Sequence, residues 1–91
     1  MTILIVRHTV ADYKAWRKLY DSAEVKKVQK GHGVTADAVY QAADNPNDVT
    51  VTHEFASAAK AKAFIALPEL KQAMQKAGVQ GAPTFWIGKK A

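Results

Sequence analysis

The chain has 91 residues, 48% of them hydrophobic and 23% charged, and a formal net charge of +5. That length and balance fit one soluble domain over residues 1–91 and disfavour disorder or collagen-like repeats. There is no cysteine, which excludes disulfides, thiolate nucleophiles, iron–sulfur clusters and cysteine-based zinc sites.

Residues 2–10 are rich in β-branched types and read as a strand. Its nearly continuous apolar start suggests a central position in a sheet. Leu4, Val6, His8 and Val10 share one face; Ile3, Ile5, Arg7 and Thr9 share the other. Asp12 is placed to cap a helix whose stripe holds Tyr13, Trp16, Leu19, Tyr20 and Ala23. Asp21-Ser22-Ala23-Glu24 resembles a second capping box, so the helix breaks there and a shorter one runs to about Lys30. Gly31-His32-Gly33 ends it and leaves His32 exposed.

Residues 34–43 read as a second strand and 49–56 as a third, with Asn45-Pro46-Asn47-Asp48 as the turn between them. In the third, Val49, Val51, His53 and Phe55 alternate with Thr50, Thr52 and Glu54. Ser57 caps the next helix, which carries Ala61, Phe64 and Ile65. Pro68 restarts it, with Leu70, Ala73, Met74 and Ala77 on one stripe, and Gly78 ends it. Residues 83–89 form the last strand.

The order βαββαβ with right-handed crossovers predicts an α+β, ferredoxin-like domain. Its four-stranded antiparallel sheet has the order 4-1-3-2, with the helices on one face. A bare sheet face carrying Ile3 and Ile5 calls for cover, and a homodimer packed sheet on sheet supplies it.

Ten of the 13 Lys and Arg fall in the helical regions 12–30 and 57–77, against four acids. This reads as a solvated helix face. The third strand lacks the Gly-aromatic run of RNA-recognition domains, so no nucleic-acid partner is expected. Three scattered histidines without clustered carboxylates predict no metal site. No apolar run approaches the roughly 18 residues of a membrane span, and the apolar start has no basic stretch before it and no cleavage site soon after it. A cytoplasmic protein with no membrane partner is the expectation.

Several segments carry a family resemblance. Val6-Arg7-His8-Thr9-Val10-Ala11-Asp12-Tyr13-Lys14-Ala15-Trp16 resembles the opening of small dimeric α/β-barrel proteins grouped with the antibiotic-biosynthesis monooxygenase (ABM) domains. Asp44–Val51 is similar to their central hairpin. Ala63-Phe64 with Leu67-Pro68-Glu69-Leu70-Lys71 is similar to their broken second helix, and Gly81-Ala82-Pro83-Thr84 to the entry of their last strand. The resemblance spans nearly the whole chain. It implies a dimeric α/β barrel that needs no cofactor. It also implies activities ranging from cofactor-free oxygenation of a phenolic polyketide to polyketide cyclisation. A haem-degrading branch uses an Asn on the first strand, and residues 2–10 contain none.

A turn at Asn45–Asp48 puts Tyr40 opposite His53, Ala38 opposite Phe55 and Ala42 opposite Val51. His53 then shares an apolar face with Tyr40, and His8 joins them if the first strand pairs in register. His53, His8 and Tyr40 are therefore the candidate catalytic residues, with Trp16, Phe64 and Phe55 as walls of a pocket for a small aromatic ligand. A histidine of near-neutral pKa can take a phenolic proton, and the resulting anion can meet oxygen directly. The opposing possibility is that these are hydrogen-bonded core histidines. On the other face, Arg7 and Glu54 are expected to pair across the dimer. The sequence points to a small-molecule-binding barrel without an assignable reaction, with a monooxygenase or cyclase as the alternative.

Overall fold

The first strand forms over Thr2–Val10 (β1) and sits inside the sheet, as its apolar start predicts. A computed structural model describes residues 1–91. After β1 come α1 (Tyr13–Tyr20), α2 (Ala23–Gly31), β2 (Ala36–Ala42), β3 (Asn45–Phe55), α3 (Ala58–Ile65), α4 (Pro68–Lys76) and β4 (Val79–Lys89). The antiparallel sheet runs β2-β3-β1-β4, which is the expected 4-1-3-2 order.

The helix starts have local causes. The side chains of Asp12, Ser22 and Ser57 accept hydrogen bonds from the backbone N–H of Lys14, Val25 and Lys60. Such caps are worth about 1 kcal/mol each. Leu67 offers no side-chain cap to α4, where Pro68 provides the start instead. Gly78, with φ at +83°, turns the chain out of α4, and its carbonyl accepts from Ala11 N–H.

Two strand boundaries differ from expectation. The hairpin closes on Ala43-Asp44, and β3 already begins at Asn45. Gln41 pairs with Val49 and Ala42 with Asn45, so Pro46, Asn47 and Asp48 bulge from β3. Pro46 has no N–H to give a ladder, and its carbonyl accepts from Gln41 Nε2 at 3.2 Å. Asn47 Oδ1 accepts from Tyr13 N–H, tying the bulge to the start of α1. Likewise β4 starts at Val79 rather than 83, with its irregularity opposite Arg7–Thr9 and Gly81 there at φ +69°.

The core lies between the helices and the sheet face of Leu4, Val6, Val10, Val49, Val51 and Phe55. One cluster gathers Leu4, Val6, Phe55, Ala61 and Phe64 under α3. The other gathers Val10, Trp16, Tyr20, Val49 and Val51 under α1. Full burial of each large side chain contributes about 1.5–3 kcal/mol. The outer sheet face carries Ile3 and Ile5, with Trp86 beside Ile5 and 56% exposed. Arg7, on that face, has its partner within the chain in Asp48, and a pair with Glu54 across a dimer lies outside a single chain. Arg7 makes a two-pronged bond to Asp48 at 3.0 and 2.6 Å, because the bulge brings Asp48 alongside while Glu54 lies opposite Ile3. No helix is long and apolar enough to cross a membrane.

Candidate functional site

A cavity of about 330 Å³ lies between the sheet and the helices. Val6, His8, Val51 and His53 form its floor, and Trp16, Tyr20 and Phe64 stand along its walls. Glu24, Glu69, Gln72 and Lys76, all exposed, mark a mouth between α2 and α4. These two helices bury little. α4 buries no residue fully, and α2 buries only Gln29. The volume falls at the lower end of the roughly 300–1,000 Å³ typical of ligand pockets.

His8 and His53 both reach this cavity, because β1 and β3 pair without slippage and even positions of one share a face with odd positions of the other. They are not adjacent. Leu4 pairs with His53 and His8 with Val49, so four residues, about 13 Å along the strands, separate them. A row of rings links the two. The centroid steps are 5.6 Å from His8 to Trp16, 4.9 Å to Tyr20 and 6.5 Å to His53, and then 5.4 Å to Phe64. Trp16 and Tyr20 are stacked; His8 meets Trp16 edge-on.

Tyr40 is not part of the site. It pairs with Thr50, on the outer face, and is 58% exposed. The three-residue bulge in β3 shifts the hairpin by an odd number, which sends every β2 side chain to the opposite face from the one a turn at Asn45–Asp48 implies. Asp37 takes the place opposite His53. Phe55 also does not line the cavity. It is fully buried behind Phe64, ring centroids 5.4 Å apart. The phenol that does line the cavity is Tyr20, from the apolar stripe of α1.

Gln29 is the second residue that a reading for apolar stripes passes over. It is 6% exposed, and its Nε2 lies 3.3 Å from His53 Nε2. Its signal in the sequence is a polar side chain one position after Val28 and four after Val25, on the inner side of α2. Around it, the Tyr20 hydroxyl donates to Asp37 Oδ2 at 2.5 Å, and Lys26 Nζ donates to the same oxygen at 3.3 Å. The Lys26 ammonium also sits 4.1 Å from the Tyr20 ring centroid.

The electrostatics follow from burial. Desolvation pushes the His53 pKa down to about 4; Asp37 pulls it up and Lys26 pushes it further down. Desolvation likewise lowers His8, against the support of the Val49 carbonyl, which accepts from His8 Nδ1–H at 3.2 Å. Burial and the Asp37 bond raise Tyr20 well above the ordinary phenol range. Burial works to raise Asp37, but the bonds from Tyr20 and Lys26 outweigh it and hold the carboxyl below its usual range. Both histidines are thus neutral at pH 7, and the cavity interior is uncharged. His53 Nδ1 is buried without a partner. No three His, Cys, Asp or Glu side chains come together to hold a metal ion.

Neither a family model nor a curated protein matches the sequence. Solved structures match its fold from end to end. An antibiotic biosynthesis monooxygenase superposes with a TM-score of 0.74 at 14% identity, over 100% of this chain and 99% of its own. SnoaB, a cofactor-independent oxygenase from Streptomyces nogalater, gives 0.71 at 11% identity, over 99% and 94%. A monooxygenase of Streptomyces coelicolor, in complex with nanaomycin D, gives 0.74 at 14% identity, over 99% and 87%. The fold is that of the antibiotic biosynthesis monooxygenases. At these identities the likeness extends to the backbone architecture and no further, since one fold hosts many chemistries. Within the ABM fold, the cavity of this chain is defined by its own Trp16, Tyr20, His8 and His53.

Proposed function

We propose that this chain is a small-molecule-binding dimeric α/β barrel, and that the cavity between α2 and α4 holds an uncharged aromatic ligand. The observation that carries this reading is the cavity's make-up. A row of stacked and edge-on rings surrounds two histidines that burial keeps neutral, with no buried charge to hold an anion. Flat apolar walls supply burial, and the imidazoles supply orientation. Thermal shift with naphthols, anthrones and haem tests it. A ligand present at about 100 times its Kd adds roughly 2.7 kcal/mol of stability. Stabilisation by the naphthols or anthrones is expected; no shift with any of the three overturns the reading.

A second reading has two observations behind it. The fold is shared with a cofactor-independent oxygenase, and His8 keeps its Nε2 lone pair free because Nδ1–H is committed to Val49. In this reading His8 Nε2 takes a phenolic proton, and the electron-rich ring carbon bonds to dioxygen. The ring methylene becomes a carbonyl, and the second oxygen atom leaves as water with the two displaced hydrogens. An oxygen electrode reads it: consumption of one dioxygen per anthrone converted, lost in His8→Phe. Cyclisation of the same class of substrate would consume none.

The dimer belongs to the same proposal. Its support is the outer sheet face, which no helix covers, where Trp86 lies beside Ile5 and Tyr40 stands exposed on β2, two strands away. Light scattering is expected to give twice the chain mass, and Trp86→Asp to give the monomer. A wild-type monomer at micromolar concentration overturns it. A single ABM-like domain over residues 1–91 and a cytoplasmic location complete the proposal.

A further inference from the structure

Two ring nitrogens in the wall of the cavity have no partner within the chain and are open to water. The first is His8 Nε2. The Val49 carbonyl, 3.2 Å from His8 Nδ1, can only accept, so it fixes the proton of His8 on Nδ1. Burial keeps the ring neutral at pH 7, which leaves Nε2 a bare acceptor. His8 is almost wholly buried and lines the cavity, yet Nε2 is not sealed off as His53 Nδ1 is. The second is Trp16 Nε1. It can only donate, and a buried indole N–H ordinarily finds an acceptor. Trp16 is among the most buried residues of the wall, and its N–H is likewise unpaired and unsealed. The stack on Tyr20 fixes the indole plane, and the His8 and Trp16 rings meet edge-on with centroids 5.6 Å apart. The other polar rings of the cavity are spent. The Tyr20 hydroxyl donates to Asp37, His53 Nε2 faces the Gln29 amide at 3.3 Å, and His53 Nδ1 is closed.

We propose that His8 and Trp16 are the specificity-determining pair of the cavity, and that the ligand class is a hydroxyarene. His8 Nε2 accepts a hydrogen bond from the ligand hydroxyl, and Trp16 Nε1–H donates one to a ligand oxygen. Ligand groups that reproduce the bonds water makes at these two atoms replace it without loss, whereas an ether leaves His8 Nε2 unpaired and a hydrocarbon leaves both unpaired. The hydroxyl lies at the α1 end of the cavity, against β1, and the rest of the ring system runs along the Trp16–Tyr20 wall. This rests on the reading of the cavity as a small-molecule site and narrows it, because only one of the two imidazoles, that of His8, bonds the ligand. The same hydrogen bond serves a binding protein and an oxygenase alike.

Long-range proton–nitrogen NMR correlation at pH 7 reads the His8 tautomer before any ligand is added. A proton on Nδ1 is expected; one on Nε2 overturns the acceptor role. Recognition is read by titrating wild type, His8→Phe and Trp16→Phe with 2-naphthol, 2-methoxynaphthalene and 2-ethylnaphthalene. The methoxy compound keeps the oxygen but has no proton to give, and the ethyl compound keeps its shape but has no oxygen. His8→Phe should lower the affinity ratio of 2-naphthol to 2-methoxynaphthalene about tenfold relative to wild type, the worth of one well-made hydrogen bond. Trp16→Phe should lower the ratio of 2-methoxynaphthalene to 2-ethylnaphthalene by a similar factor. Each ratio is taken within one protein, so a general loss of packing cancels. A ratio that its variant leaves at the wild-type value overturns the role of that residue. If a variant fails to fold, the wild-type nitrogen signals decide: His8 Nε2 and Trp16 Nε1 should both shift when 2-naphthol binds, and signals that stay in place overturn the pair. Binding of the probes with unchanged ratios overturns this proposal alone. Failure of all three to bind wild type overturns the small-molecule reading, and the pair with it.

Discussion

The two ends of the core are built to different ends. Under α3, Leu4, Phe55, Ala61 and Phe64 are almost wholly buried, with His53 at their edge, opposite Leu4 and 5.4 Å from Phe64 between ring centroids. Under α1 and α2, Trp16 and Tyr20 share the interior with His8, Gln29 and His53, and a cavity remains. Apolar burial at the first end favours folding outright. Polar burial at the second needs partners, and His53 Nδ1 lacks one. The contrast teaches that the α3 end holds the fold together, while the α1–α2 end sacrifices some stability to keep polar groups beside an open space.

The sharpest way to break that division is Phe55→Ala. It should cost about 3–5 kcal/mol in urea unfolding, yet leave naphthol affinity of the folded protein unchanged. A loss of affinity with little loss of stability would reverse the roles of the two ends.

The next effect is acid sensitivity. His53 titrates near 6.5 in the unfolded chain and near 4 in the fold. Above pH 6.5 both states hold it neutral. Between 6.5 and 4 the unfolded chain binds the proton first, so stability falls as pH falls, by about 3 kcal/mol in all. Below 4 that loss is complete. The charged groups facing His53 are Asp37 and Lys26, so the Lys26–Asp37 pair must stay intact for this window to hold. Unfolding midpoints from pH 8 to 4 read it; a flat profile would mean that His53 is already hydrated in the fold.

His53→Phe should remove most of that slope and leave the share contributed by His8. Its stability at pH 7 should stay within about 1 kcal/mol of wild type, since loss of the unpartnered Nδ1 offsets any overpacking. A larger loss would make His53 a structural residue of the same kind as Phe55. The smallest effect belongs to Arg7→Ala. Its pair with Asp48 is open to solvent, and no measurable change in the unfolding midpoint is expected.

Much of the site was readable from alternation alone. Strand period 2 puts His8 with Leu4 and Val6, and His53 with Val51 and Phe55, and those faces are the buried ones. Tyr40 was not readable in the same way. Asn45-Pro46-Asn47-Asp48 has the composition of a turn, but Asn47 Oδ1 is taken by Tyr13 N–H and Asp48 by Arg7, so the segment serves better as a bulge. Those partners are 34 and 41 residues away, beyond the reach of local turn chemistry.

By itself, the sequence determined the element order, the helix caps at Asp12, Ser22 and Ser57, and the buried faces of β1 and β3. Each depends on neighbours within a few residues, where dihedral preference and periodicity act directly. Tertiary structure alone decided the hairpin register, the replacement of Tyr40 by Tyr20 at the cavity, and the contact of Gln29 with His53. Those are pairings between distant segments. They are set by which long-range bonds and side-chain volumes can be satisfied together, and a one-residue change in register exchanges the faces of a whole strand.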